Sequence, residues 1–69
     1  MSDYNGWKNW DTWAMDLWIN NIEEWHGYCR EAKDAKDLED RIYEIKHMIS
    51  DNIDFDVVDY HGLLTSIKG

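Results

Sequence analysis

Residues 5–21 read NGWKNWDTWAMDLWINN, and this stretch decides how the chain folds. It holds Trp7, Trp10, Trp13 and Trp18, four of the five tryptophans. From Trp10 to Asn20 the polar positions are Asp11, Thr12, Asp16 and Asn20. Three of them, Thr12, Asp16 and Asn20, are four apart and fall on one narrow stripe of a helix. The positions between them (Trp13, Ala14, Met15, Leu17, Trp18, Ile19) are apolar. A helix apolar around most of its circumference belongs inside a bundle, so this segment is expected at the centre of the fold, with Trp13 and Trp18 in the core. Asn9 is its expected N-cap and Asp11 lies in the favourable first turn. Trp7 and Trp10 flank the helix start beside the Asn5-Gly6 turn signal, where partial exposure or ring stacking on a ligand stays open.

Outward from this helix, helical spacing recurs, and strict alternation is weak and confined to Ile53–Val57. Asn20-Asn21 interrupts the first pattern, and Asn21 with Glu24 has capping-box spacing for a second helix over about 22–32. That helix sets Ile22, Trp25, Cys29 and Ala32 on one face, with Gly27 weakening it. A third helix carries Ala35, Leu38, Ile42, Ile45 and Ile49 in steps of three and four, capped by Asp34 and stopped by Asn52. A fourth, near 56–67, places Val57, Tyr60, Leu64 and Ile67 on one face, with Asp54 or Asp56 as its cap. Gly62 interrupts this last segment. The expected fold is all-α: one compact domain over residues 1–69, a bundle of three to four short helices with a Trp-rich, centrally buried first helix.

With 69 residues the chain is near the lower limit for independent folding. Domains of that size lean on disulfides, metals or large core side chains. The single cysteine, Cys29, cannot pair within the chain, so the tryptophans have a physical reason to be there. One free thiol and the lack of a secretory leader pattern point to a cytoplasmic protein. The longest apolar run is three residues, so no membrane span is expected.

Fifteen acidic and seven basic residues give a net charge of −8. That balance argues against direct contact with nucleic acid or an anionic membrane, and for a basic partner. The charge is uneven. Residues 1–29 carry five acids and one base, residues 30–46 six acids and five bases, and residues 47–69 four acids and one base. Both ends are thus acidic without compensation. The candidate partner-binding residues are Glu23, Glu24, Asp51, Asp54, Asp56 and Asp59. Solubility and helix capping account for part of this acidity and remain the alternative.

Catalysis is not expected. His26 and Cys29 could offer two metal ligands, but a structural zinc site needs four, and His47 and His61 stand alone. The run 51–59, DNIDFDVVD, lacks the alternating ligands, central glycine and final glutamate of a calcium loop. No phosphate-binding glycine loop and no nucleophile–base pair is visible, so neither metal nor cofactor is expected.

The N-terminal quarter also resembles a small bacteriophage protein family. Asn5-Gly6-Trp7, Asn9, Thr12-Trp13, Leu17-Trp18-Ile19 and Asn21 match its signature N-G-W-x-N-x-x-T-W-x-x-x-L-W-I-x-N. Trp10 stands where its members usually carry Tyr or a similar ring. The resemblance implies a phage or mobile-element origin and supplies no activity. Small acidic phage proteins without catalytic residues often disable host defence by binding. By that analogy the expected role is a non-enzymatic inhibitor, anti-CRISPR or antirestriction, whose acidic surface engages a host defence protein at its basic nucleic-acid-binding face. The alternative is a small accessory or structural phage protein that assembles through its aromatic N-terminus.

Overall fold

The computed structural model describes residues 6–69. Four helices follow in order: α1 (Trp10–Asn21), α2 (Glu23–Arg30), α3 (Ala35–Ile45) and α4 (Tyr60–Lys68). A single 3-10 turn, Lys46–Met48, continues α3, and no strand occurs among the described residues. The expected all-α class therefore holds. Helices α2 and α4 each pack against all the other helices, whereas α1 and α3 each touch α2 and α4 and not one another. The Cα radius of gyration, 10.9 Å, is what a close-packed chain of this length should have.

The α1 start forms as its residues dictate. Asn9 is extended, and its side-chain oxygen accepts the Thr12 N–H at 2.9 Å. Gly6 just ahead of it adopts a φ of +88°, the left-handed region that glycine enters without a Cβ penalty. At the other end α1 runs one residue past the expected Asn20, and the chain turns sharply at Ile22, which is extended. The Asn21–Glu24 capping box is not made. Asn21 remains in α1, so the N-cap of α2 is Ile22, which has no side-chain cap bond.

Helix α3 starts as expected, with the Asp34 carboxylate accepting the Asp37 N–H at 2.9 Å. The Asp37 carboxylate returns a bond to the Lys33 N–H at 3.0 Å, a capping-box-like exchange. That backbone bond, the leading cause, holds the Asp37 carboxyl below its ordinary pKa. Arg41 then ties α3 to α2: its guanidinium donates to the Tyr28 carbonyl at 2.9 Å and lies over the Tyr28 ring. The α-helix ends at Ile45, well before Asn52, because the chain tightens into the 3-10 turn. Ile49, expected on this helix, follows the turn and packs half-buried against the core.

The fourth helix begins later than expected. Asp59, not Asp54 or Asp56, is its cap, accepting the Gly62 N–H at 3.1 Å. Val57 and Val58 precede the helix, with Val57 44% exposed and Val58 buried. The buried face of α4 is Tyr60, Leu63 and Ile67, with Leu64 at the margin. A Cβ on Gly62 would come 2.7 Å from the capping Asp59 Oδ2 and 3.5 Å from the Trp7 ring, so glycine there admits both.

The core is built from Met15 and Ile19 of α1, Cys29 of α2, Ala32 between α2 and α3, Leu38 and Ile42 of α3, and Leu63 of α4, all fully buried. Here the structure corrects the expected placement of the tryptophans. Trp13 and Trp18 are half-buried and flank this core, as does Trp7; Trp25 is half-buried, and Trp10 is 37% exposed. The expected polar stripe does not face solvent as a unit: Thr12 is 0% exposed and packs inward with Met15 and Ile19, Asp16 is half-buried, and Asn20 alone is exposed. A helix of this size in so small a domain has one side left for solvent, and that side is the aromatic one.

Candidate functional surface

Thr12 can be buried because its hydroxyl is fully bonded. It donates to Asn9 Oδ1 at 2.7 Å and accepts the Asp59 N–H at 2.9 Å. Asn9 Nδ2 donates to the Val57 carbonyl at 3.0 Å, and Asp11 Oδ1 accepts the Asp54 N–H at 2.9 Å. The first turn of α1 thereby holds the loop that carries most of the candidate acidic residues. Tyr60 adds a bond from its hydroxyl to the Phe55 carbonyl. These contacts replace the secondary-structure bonds that residues 51–59 lack.

Each aspartate of the loop accepts one bond. Asp51 Oδ2 accepts the Trp18 indole N–H at 2.9 Å. Asp54 Oδ1 accepts the Asp56 N–H at 3.1 Å, and Asp56 Oδ1 accepts the Tyr43 hydroxyl at 2.8 Å. That last bond, to an acceptor already charged, is the main reason the Tyr43 hydroxyl is held above its ordinary pKa. Asp51, Asp54 and Asp56 are nevertheless exposed, as are Glu23 and Glu24 in the first turn of α2; Asp59 is half-buried. The loop strings them around the molecule, with Asp51 beside the second half of α1, Asp54 at its first turn, Asp56 against α3 and Asp59 at the start of α4. They do not form one cluster.

Among the described residues none of these six carboxylates enters an ion pair. The salt bridges among the described residues are Lys36–Asp40, Arg41–Asp37 and Arg41–Glu31. All lie in the segment whose charges nearly balance in the sequence. One cation does stand near the loop: Lys46 Nζ sits 4.2 Å from the Tyr43 ring centre and 5.5 Å from that of Phe55.

Among the described residues no three His, Cys, Asp or Glu side chains converge as metal ligands. Cys29 is fully buried, and burial pushes its thiol up to about 11. It is a small core residue held as the neutral thiol at physiological pH.

The feature that sequence reading missed is a groove of about 410 Å³ lined by Trp10, Trp13, Ala14, Leu17, Trp18, Asn21, Ile22 and Asp51. Six of the eight are α1 positions 10, 13, 14, 17, 18 and 21, the side of the helix opposite Thr12. Ala14, 2% exposed, forms the floor, and Leu17, 40% exposed, stands on the wall. Trp18 is braced by stacking on Trp25, with ring centres 5.9 Å apart, and by its bond to Asp51. The signal was present as Trp10, Trp13 and Leu17 at spacings of three and four. It was hidden because apolar residues on both sides of α1 leave the inward side undetermined.

No helix among the described residues is long and apolar enough to cross a membrane. No curated protein and no solved structure matches the chain. Residues 1–63, however, match a family described only as one of unknown function, so the chain belongs to the DUF7249 family.

Proposed function

We propose that the chain is a non-enzymatic binding protein of phage type, an anti-CRISPR or antirestriction inhibitor acting in the host cytoplasm. Its partner is a host defence protein with a basic, nucleic-acid-binding surface. The observation that carries this reading is the set of exposed carboxylates, Glu23, Glu24, Asp51, Asp54 and Asp56, none of which is in an ion pair among the described residues. Uncompensated charge on a rigid helical scaffold attracts and orients a cationic surface, and occupies sites that would otherwise hold phosphate. The phage origin rests on the resemblance of residues 5–21 and on nothing in the fold.

The test is competition. Nucleic acid and this protein should exclude one another from the captured host enzyme, and association should slow as salt rises from about 50 to 300 mM. Replacing Asp51, Asp54, Asp56 and Asp59 together by Asn should weaken inhibition and leave the fold in place. Each of these aspartates uses one oxygen as an acceptor, which an amide oxygen can replace, and Asn caps α4 nearly as well as Asp. A folded quadruple variant that inhibits like the parent at every salt concentration rules the acidic surface out. The second reading, assembly through the aromatic N-terminal region, is favoured by the groove along α1 and predicts binding that salt barely alters.

A further inference from the structure

We propose that the groove along α1 is a docking site for a basic amphipathic helix of a partner protein. The inference rests on the protein-binding reading above and does not depend on which host protein is bound. Its apolar part follows from position. Residues 10, 13, 14, 17, 18 and 21 form a stripe along the whole of α1, about 18 Å at 1.5 Å per residue. A partner helix of about three turns matches that length, and its apolar side chains at three- and four-residue spacing would enter over the Ala14 floor. Leu17 and the Trp10 and Trp18 rings supply the walls.

Charge decides the occupant. Among the described residues Asp51 is the only charged one lining the groove, and it is fixed there by the Trp18 indole. Ile22 lines the same end and is followed directly by Glu23 and Glu24, both exposed. The C-terminus of α1 also ends there, with no basic residue in its last turn to offset the partial negative charge of its carbonyls. One end of an apolar groove is therefore negative, with no cation lining it among the described residues. A second copy of this chain carries the same −8 and is disfavoured by like-charge repulsion. A helix with Lys or Arg beside its apolar face fits instead.

The experiment uses a synthetic Leu/Lys amphipathic peptide of about four helical turns and its Leu/Glu counterpart as probes. Binding is read by calorimetry and by nitrogen–proton NMR of the indole groups. The Leu/Lys peptide should bind and shift the Trp10, Trp13 and Trp18 indole signals, and the Leu/Glu peptide should not. Asp51→Asn, which keeps an acceptor for the Trp18 indole, should weaken binding about three- to tenfold. Leu17→Glu should weaken it about thirtyfold or more, although it adds negative charge, because it puts a carboxylate on an apolar wall. Leu17→Gln serves as the uncharged check, and circular dichroism confirms that each variant keeps its helices.

Several results would overturn the proposal. If Leu17→Glu binds the Leu/Lys peptide as well as or better than the parent, the attraction is charge alone and the groove is not the site. Equal binding of the Leu/Glu peptide would remove the charge selectivity. A parent dimer in sedimentation that Leu17→Glu dissolves would make a second copy the occupant. The inhibitor reading fails separately, on the quadruple aspartate variant in the competition assay, so a groove that binds the peptide survives that failure.

Discussion

Thr12→Val isolates the junction on which the fold turns. The substitution keeps shape and β-branching and removes one hydroxyl at a position with no solvent access. Asn9 Oδ1 loses the Thr12 hydroxyl but still accepts the Thr12 N–H, so the cap survives. The Asp59 N–H loses its acceptor altogether. A lost bond costs about 0.5–1.5 kcal/mol and an orphaned donor about 1–3 kcal/mol. Valine's extra apolar burial offsets up to about 0.8 kcal/mol of that. The net is about 2 kcal/mol, a large share of the roughly 5–15 kcal/mol that holds a small domain together. In a domain of this size that lowers Tm by about 8–16 °C. Urea unfolding followed by tryptophan fluorescence measures it directly. Thr12→Ser, which keeps the hydroxyl and loses a methyl, should cost only about 1 kcal/mol. Asn9→Ala should be strongly non-additive with Thr12→Val, because the two residues share one network. A Thr12→Val protein within about 0.5 kcal/mol of the parent, or one no less stable than Thr12→Ser, refutes the reasoning.

Three further outcomes are expected. Met15→Ala, at a fully buried position, should cost about 2–5 kcal/mol in denaturant unfolding, whereas Leu17→Ala two positions on should cost under about 1 kcal/mol. Trp18→Ala should fall between them, since the ring is only half-buried. Cys29, neutral and enclosed, should resist iodoacetamide at pH 8 in the folded protein and react fully in denaturant, as mass spectrometry can follow. Asp16 is half-buried, and desolvation raises its carboxyl pKa against smaller lowering effects of Asn20 and His26. The folded state thus holds this proton more tightly than the unfolded one, and the corresponding stability is lost as pH rises through the folded pKa. Asp16→Asn should therefore raise Tm relative to the parent at pH 7 and not at pH 3, in paired melting curves.

What the sequence determined by itself was local. Asn9 and Asp34 were legible as caps because a cap is a short-range bond to an N–H three residues on. The period of Leu38, Ile42 and Ile45 placed the buried face of α3 because polar residues marked its other side. The break near Asn21, the all-α class and the uncompensated charge outside residues 30–46 were legible for similar reasons. On α1 the same method set the Thr12 stripe toward solvent and Trp13 and Trp18 inward, and it failed because Met15 and Ile19 on one side and Trp10, Trp13 and Leu17 on the other are equally apolar. Tertiary structure chose, and it buried Thr12 because partners 3 and 47 residues away satisfy its hydroxyl. The same long-range bonds, Asn9 to Val57 and Asp11 to Asp54, hold residues 51–59 outside a helix and move the α4 cap to Asp59. No pattern of nearby residues encodes a bond across 43 to 48 positions. The groove is a consequence of that choice: once the Thr12 side packs inward, the tryptophans of the opposite side are left at the surface with Asp51 at their edge.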